Sequence, residues 1–494
     1  LRLISGFRSN PEGWAYIGLS TIVVGLIVLG RIILARAKKQ PVRGPDFPVQ
    51  SQWAFWASLL VLLFAFGMPF KLYAPSIDLF PLVKSFRATG RFAWPFFYIA
   101  TTLGMVWVYH WGKKCWDKKK TLAAMVIWTV FPLFMMVEAI PYHRDMSQQI
   151  NQSPNYFSQK RLNPDQQVLL SGINPNDYQA ILPLPYYHQG SESYLNILHN
   201  GIVRESMVMA YHSGIPLISG VLARTSIPES KQLAQIVTPN FYPKPIAAKF
   251  TDPRPILILK SDEVPLTEWE QRIFDRAESL AQAVHLELAA ILVKDLFKDE
   301  IGRENVKYTG RRKAYELFWD GQYWRSDSLG WVLRQNFDDL EGEISYQGNG
   351  AYNSMKYGYH LLAEIPADSF PAHETYHLSV WMHNGVQDAL NMYFRLLIQE
   401  IDPAGGVARQ STVFPDRAEV IDGNWSMVES VFPKPQAGHL LRVVCLGQEG
   451  KKTPFAADEL LIRSVGTDVY QGAGPGVLWK NNHWLARSRN KAVN

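Results

Sequence analysis

Cysteine is almost absent from this 494-residue chain: Cys115 and Cys445 are the only two, too few for a disulfide scaffold. Charge is sparse as well, at 19% of residues against 47% hydrophobic, which excludes an intrinsically disordered chain. No period recurs along the sequence, so fibrous and solenoid repeats are excluded. No Gly-x-Ser-x-Gly elbow appears, and no ordered set of triad partners accompanies the serines, which removes the common serine-hydrolase arrangement. The chain opens on Leu1 without a basic-apolar-small signal segment, so a processed chain or the C-terminal part of a longer protein is expected.

The charge that is present is unevenly placed. A formal net charge of +6 divides into +11 over residues 1–140 and -5 over the remainder. The basic excess thus sits in the most apolar part, and the mean hydropathy of -0.10 averages two unlike regions. Cations scattered among apolar runs mark membrane-flanking loops rather than a basic patch on a soluble fold, so no nucleic-acid partner is expected.

Four windows, 14–35, 53–70, 92–111 and 121–140, approach the roughly 20 apolar residues that cross a bilayer. Arg31 lies near the end of the first, where a long side chain can snorkel, and Trp14, Trp53, Trp94, Trp111 and Trp116 stand near window ends as interfacial aromatics do. Arg36, Lys38, Lys39 and Arg43 fill one connecting loop; Lys113, Lys114, Lys118, Lys119 and Lys120 fill another. The positive-inside rule makes both cytoplasmic and puts everything after Pro141 on the other side. With two cysteines and no eukaryotic targeting signal, the expected setting is a bacterial inner membrane with a periplasmic C-terminal region. Cys115 and Cys445 would then lie on opposite sides and could not pair.

One external loop runs against the charge trend. Between Pro81 and Pro95 it carries Lys84, Arg87 and Arg91. Three cations at a membrane surface beside a helix N-terminus suit an anionic phosphate or pyrophosphate headgroup. Ordinary phospholipid contact, or pairing with Asp78, is the alternative.

The external region shows two patterns. Over 151–300, short apolar runs at Tyr178–Pro185, Ile215–Ser219 and Pro255–Lys260 alternate with helix-like stretches at Glu205–Ser213, Pro228–Val237 and Thr267–Ala281. Alternation of this kind predicts a small α/β domain with a largely parallel sheet. The polar turn after its first strand places His188, Ser191 and Glu192 at the edge where open α/β sheets bind ligands; a packed turn with solvated polar residues is the alternative. Over 330–465, six strand-like runs separated by Gly, Pro and Asp predict an antiparallel sandwich of jelly-roll type. Residues 301–329 read as an aromatic-acidic linker and 466–494 as a C-terminal tail. The predicted architecture is therefore a membrane α-helical region of four transmembrane helices, a small α/β domain and an all-β jelly roll.

Two resemblances follow from particular segments. Asn336-Phe-Asp-Asp-Leu-Glu341, Tyr376-His-Leu-Ser-Val-Trp381, Gly423-Asn-Trp425 and Ala457-Asp-Glu-Leu-Leu-Ile462 resemble a carbohydrate-binding-module jelly roll. That resemblance implies glycan as a partner and a structural calcium (Ca2+) held by Asp338, Glu341 and Asp458, with turn capping as the alternative role for the aspartates. Trp381 and Trp425 occupy strand positions and are expected in the core. Asn10-Pro-Glu-Gly-Trp-Ala-Tyr-Ile-Gly18, Phe86-Arg-Ala-Thr-Gly-Arg-Phe92 and Ile181-Leu-Pro-Leu-Pro-Tyr-Tyr-His-Gln-Gly-Ser-Glu192 resemble YfhO-like membrane proteins of the GT-C glycosyltransferase superfamily.

The second resemblance implies transfer of a sugar from a polyprenyl-phosphate carrier at the extracytoplasmic face, with Lys84, Arg87 and Arg91 on the lipid phosphate. It also puts the catalytic acid upstream of Leu1, so no catalytic residue is assigned. Glu12, Asp78 and Glu138 are the acids near the outer interface, and none lies in a paired-acid motif. A non-catalytic membrane scaffold, or a subunit of an extracytoplasmic assembly, is the competing expectation.

Overall fold

The computed structural model describes residues 18–39, 47–68, 70, 72–73, 89–190, 194–195, 200–222, 225–340, 344–354, 358–371, 375–383, 394–447, 455–472 and 477–486. The chain divides into two compact units, Leu1–Pro154 and Asn155–Asn494.

The first unit is helical. Helices α1 (Leu19–Ala37), α2 (Val49–Ala65), α3 (Trp94–Asp117) and α4 (Thr121–Gln152) fall on the four apolar windows. Leu26, Leu34, Leu60 and Met136 are among many large apolar side chains that stay exposed. A helix that is apolar on every side and still uncovered has lipid as its solvent. Three stretches, Leu19–Ala37, Gly90–Asp117 and Thr121–Gln152, are long and apolar enough to cross a membrane. Helix α2 has 17 residues, a rise of about 26 Å against a hydrocarbon core of roughly 30 Å. The four expected spans thus become three helices of sufficient length and one shorter apolar helix.

Small residues set the helix contacts. A Cβ on Gly112 of α3 would lie 2.0 Å from the Trp128 indole nitrogen of α4, and Gly104 of α3 faces the Thr21 methyl of α1. Helix α4 contains Pro132 and Pro141 and runs past the apolar window to Gln152. Its Glu138 accepts hydrogen bonds from the backbone N–H groups of Leu19 and Ser20. These are first-turn donors of α1 that its own N-cap, Gly18, leaves without a side-chain acceptor.

The second unit begins with α5 (Pro164–Ser171), started by an Asn163–Gln166 capping box. The apolar runs form β1 (Ala180–Leu184) and β2 (Ile256–Ser261), parallel neighbours buried on both faces. Helices α6 (Asn200–Ser213) and α7 (Ile227–Ala234) lie between them in sequence. Ile215–Ser219 makes only an isolated parallel bridge, Leu217 to Ile181.

The expected helix over Thr267–Ala281 divides. Its apolar spacing holds through α8 (Glu268–Phe274), and Glu278–Gln282 becomes β3, a largely exposed edge strand. Strand β4 (Leu286–Ile291) pairs antiparallel with both β3 and β2, giving the order β1-β2-β4-β3. The sheet is therefore mixed rather than largely parallel. The Leu217 bridge and β2 flank β1 on opposite sides.

After α9 (Val293–Leu296), the presumed linker holds α10 (Ile301–Lys313) and a hairpin of β5 (Phe318–Trp319) and β6 (Trp324–Arg325). The sandwich strands are β7 (Val332–Gln335), β8 (Tyr352–Ser354), β9 (Tyr359–Pro366), β10 (Thr375–His383), β11 (Arg395–Ile401), β12 (Val407–Val413), β13 (Val420–Asp422), β14 (Trp425–Pro433), β15 (Leu440–Leu446) and β16 (Phe455–Ser464). One sheet runs β13-β14-β10-β16-β7 with β8 also on β16, and the facing sheet runs β12-β11-β15-β9. Between them lies a core that includes Tyr376, Leu378, Leu396, Val443, Cys445 and Ile462. These strands supply the β-rich half expected of a jelly roll.

The tail is not a tail. Strands β17 (Val469–Gly472), β18 (Val477–Lys480) and β19 (His483–Ala486) join the linker hairpin in a sheet ordered β19-β18-β17-β6-β5. The two-residue strands β5 and β6 leave no alternating pattern to read, and β17, the second partner of β6, lies more than a hundred residues away. A buried ion pair fastens this sheet to the sandwich: Arg334 of β7 donates to both carboxylate oxygens of Glu459 (2.7 and 2.9 Å) and to Gln471 Oε1 (2.9 Å). Its guanidinium also lies 4.6 Å over the ring of fully buried Trp479.

Candidate functional site

Alternation along the sandwich strands builds the site. On β10, Tyr376, Leu378, Val380 and Met382 enter the sandwich core, so His377, Ser379 and Trp381 face the other way. The same parity turns Met427 and Glu429 outward on β14. Register sets His377 opposite Arg463 of β16 and Ser379 opposite Glu429. An acid, an imidazole and a guanidinium therefore stand across three neighbouring strands.

This outward face is covered. Phe241 and Tyr242 of the α/β layer, together with Tyr470, Leu478 and Leu485 of the last sheet, pack over Trp381 and Met427. Trp381 is fully buried, stacks on Tyr346 at 4.1 Å and donates its indole N–H to the Asn482 carbonyl (2.9 Å). Trp425 is nearly buried. Both rings are core, as expected, and neither offers a face to a sugar.

The layers do not close completely, and a cavity of about 420 Å³ remains where they meet. Its α/β wall is Thr267-Glu268-Trp269, which follows the carboxyl end of β2. His377, Glu429 and Arg463 form the sheet wall; Glu419 and Lys480 contribute from either side. Glu429 Oε1 lies 3.4 Å from His377 Nε2, and about a third of the Glu429 side chain remains open to water although protein surrounds it. That combination marks a cavity wall rather than a core residue.

The surroundings shift these groups strongly. Burial pushes Glu429 up to about 7, outweighing the pull of Arg463. Burial, with the neighbouring Glu270 carboxylate, pushes Glu419 up to about 8. Burial lowers His377 to about 4 and His483 to about 3, assisted by nearby cations. His483 is held by the Tyr242 hydroxyl at its Nδ1 (2.8 Å). Glu304 is drawn below the usual carboxylate range by Lys480, Lys307 and Arg272, against its burial. Near neutral pH the cavity thus offers protonated and ionised carboxyls, neutral imidazoles, the guanidiniums of Arg417 and Arg463, the Lys480 ammonium and an indole. It can donate and accept hydrogen bonds at several points around a polar ligand.

The residues singled out in the sequence fall elsewhere. His188 follows β1 but is fully buried. Its backbone N–H donates to the Leu195 carbonyl (3.2 Å). Both ring nitrogens have no hydrogen-bond partner among the described residues, and burial lowers the ring to about 4. Ser191 and Glu192 lie outside the described residues, as do Lys84, Arg87 and Glu341. Arg91 sits in the 3-10 turn Thr89–Ala93 that leads into α3.

Asp338 and Asp458 converge on one loop. Asp458 accepts the N–H groups of Tyr346 (2.8 Å), Gln347 (3.1 Å) and Glu459 (2.8 Å), and Asp338 accepts that of Asn349 (2.9 Å). Both Asp458 oxygens accept from backbone donors, and Asp338 accepts from the Asn349 N–H at one oxygen and from the Asn336 side-chain amide at the other, which fits the turn-capping alternative. Among the described residues no group of three or more metal-ligating side chains occurs. Sequence reasoning missed the cavity. Its signal was a His, a Glu and an Arg at outward positions of three apolar strands.

Three long apolar helices make this a membrane protein, with a larger α/β-and-sandwich unit carried on the same chain. A family model described as a domain of unknown function (DUF6311) matches residues 3–131, within the helical unit. No curated protein matches significantly. Among solved structures, a xylanase of Clostridium thermocellum with its CBM22 and GH10 modules, complexed with xylohexaose, is 15% identical. That match covers 31% of this chain and 27% of the xylanase, with a TM-score of 0.18. A CBM22 xylan-binding domain from Paenibacillus barcinonensis is 13% identical over 30% of this chain and 93% of its own, with a TM-score of 0.18. The VP2 subviral particle of infectious bursal disease virus is 16% identical over 28% and 33% of the two chains, with a TM-score of 0.20. Likenesses this weak carry no functional weight, and the sandwich is read here from the chain's own strands.

Proposed function

We propose that this chain is a membrane-anchored glycan-recognition protein whose Asn155–Asn494 unit binds saccharide in the cavity between its layers. The observation that carries this reading is the set of Glu429, His377 and Arg463 on one wall facing Trp269 on another. Sugars need hydrogen-bond donors and acceptors around their hydroxyls and an apolar ring against their C–H face. The cavity volume lies within the usual range for small-ligand sites. The unit acts at the extracytoplasmic face of a bacterial inner membrane, a placement that rests on the cationic loops between the apolar windows.

The finer reading is that the saccharide arrives on a polyprenyl-phosphate carrier, with Lys84, Arg87 and Arg91 on its phosphate. It is supported by the position of Arg91 beside the start of α3. Glu138 does not serve as the transferase base in this scheme, because its carboxylate caps α1.

The test is a binding titration of the full chain in nanodiscs against neutral and charged bacterial oligosaccharides, repeated with Glu429→Gln and Trp269→Ala. Loss of affinity by roughly tenfold or more in either variant is expected, since a good hydrogen bond or ring contact contributes about 1.4 kcal/mol or more. Absence of binding by the unaltered chain, or unchanged affinity in both variants, refutes the proposal.

A further inference from the structure

The connection between the α/β layer and the sandwich presents a surface that the packing leaves uncovered. At the end of α10 the chain turns through Tyr315, whose φ of 60° closes the helix. Its N–H reaches the Arg312 carbonyl (3.3 Å), and the side chain is 90% exposed. On the hairpin that follows, Trp319 is 52% exposed, and Leu329 beyond it is 78% exposed.

The hairpin rings meet the end of α10. The rings of Trp319 and Trp324 lie 5.2 Å apart, and the Arg312 guanidinium lies 4.8 Å over Trp324. Arg325, on the opposite face of the hairpin, pairs with Asp320 and donates to the Gly330 carbonyl. Residues 303–325 contain six Lys or Arg against three acids; Lys307, Arg311 and Arg325 are held in ion pairs, and Arg312 and Lys313 are the cations beside the rings. One of those acids, Glu304, is buried in its own ion cluster. Exposed aromatics beside cations are costly in water and well suited to a headgroup layer, where ring bodies meet acyl chains and guanidinium or ammonium groups meet phosphate. The same chain carries three helices that can cross a membrane, so this unit is tethered to a bilayer.

We propose that the surface formed by Tyr315 and Trp319, flanked by Arg312 and Lys313, rests in the headgroup layer of an anionic bilayer. The test uses the full chain in proteoliposomes, with Cys115→Ser as background and Cys445 left buried in the sandwich core. An environment-sensitive fluorophore is placed at Trp319→Cys, at Tyr315→Cys and, as control, at Val284→Cys, another well-exposed position of the same unit. All three substitutions are at exposed side chains, and melting temperatures equal to the parent confirm folding.

The expected result in phosphatidylglycerol-containing vesicles is quenching of the 315 and 319 labels by nitroxide lipids, by roughly twofold, with the 284 label quenched only by aqueous iodide. Arg312→Glu combined with Lys313→Glu should restore iodide access at 319. Iodide access at 319 in the parent, protection from both quenchers, or lipid quenching of equal size in zwitterionic vesicles overturns the proposal.

Discussion

Removing the Arg334 side chain should loosen the last five-stranded sheet from the sandwich. In Arg334→Ala, Glu459 keeps a 3% exposed carboxylate with both of its guanidinium hydrogen bonds gone. Breaking a buried pair from one side costs about 3–5 kcal/mol, and the contact over Trp479 adds about 1 kcal/mol. A loss near 5 kcal/mol is therefore expected, which lowers the melting temperature by roughly 7 °C for a unit of this size. Replacing both partners by Met should recover most of it, because the desolvation of two charges is then no longer required.

The pH dependence fixes the sign. Burial already raises Glu459 above its ordinary value, and loss of Arg334 raises it further. A carboxyl raised in the native state binds more protons than in the unfolded chain. Its penalty is therefore smallest below the ordinary carboxylate pKa and grows as pH climbs through the native value. The gap between variant and parent should be wide at pH 8 and narrow at pH 5. Differential scanning fluorimetry in nanodiscs, with limited proteolysis to locate release of residues 469–486, reads both effects. A loss below about 1 kcal/mol, or a double variant as unstable as the single, refutes the argument that this pair fastens the sheet.

Glu419→Gln mimics the neutral acid that burial holds up to about 8. The unaltered chain should lose stability as pH climbs from the ordinary carboxylate range towards that value, so the variant should match it near pH 4 and melt higher at pH 9. Equal melting temperatures at pH 9 would contradict the shift. Gly112→Val forces a side chain onto the Trp128 indole, 2.0 Å from where its Cβ would stand. It should cost about 1–3 kcal/mol of α3–α4 pairing, read as a lower melting temperature in detergent; an unchanged value would exclude close packing there.

The parts legible in the sequence are those governed by local pattern. Composition alone located the four helices, because lipid exposure demands uninterrupted apolar residues. Period-2 alternation located most sandwich strands, and the capping chemistry of Thr267 fixed the start of α8. His188 was legible as the residue after β1, but its burial was not. A polar turn looks the same whether solvent or a second layer covers it.

The sequence by itself thus determined the membrane helices, the β-rich C-terminal half and the core placement of Trp381 and Trp425. These depend on the solvent each residue requires and on the fixed periods of helix and strand. Tertiary structure decided the rest. It paired residues 318–325 with 469–486, turned the α/β sheet mixed and laid the other layers over the outward face of β10, β14 and β16. It also left the space in which Glu429, His377 and Arg463 meet Trp269. Those outcomes rest on contacts between segments far apart in the chain, for which no short window of sequence carries a signal.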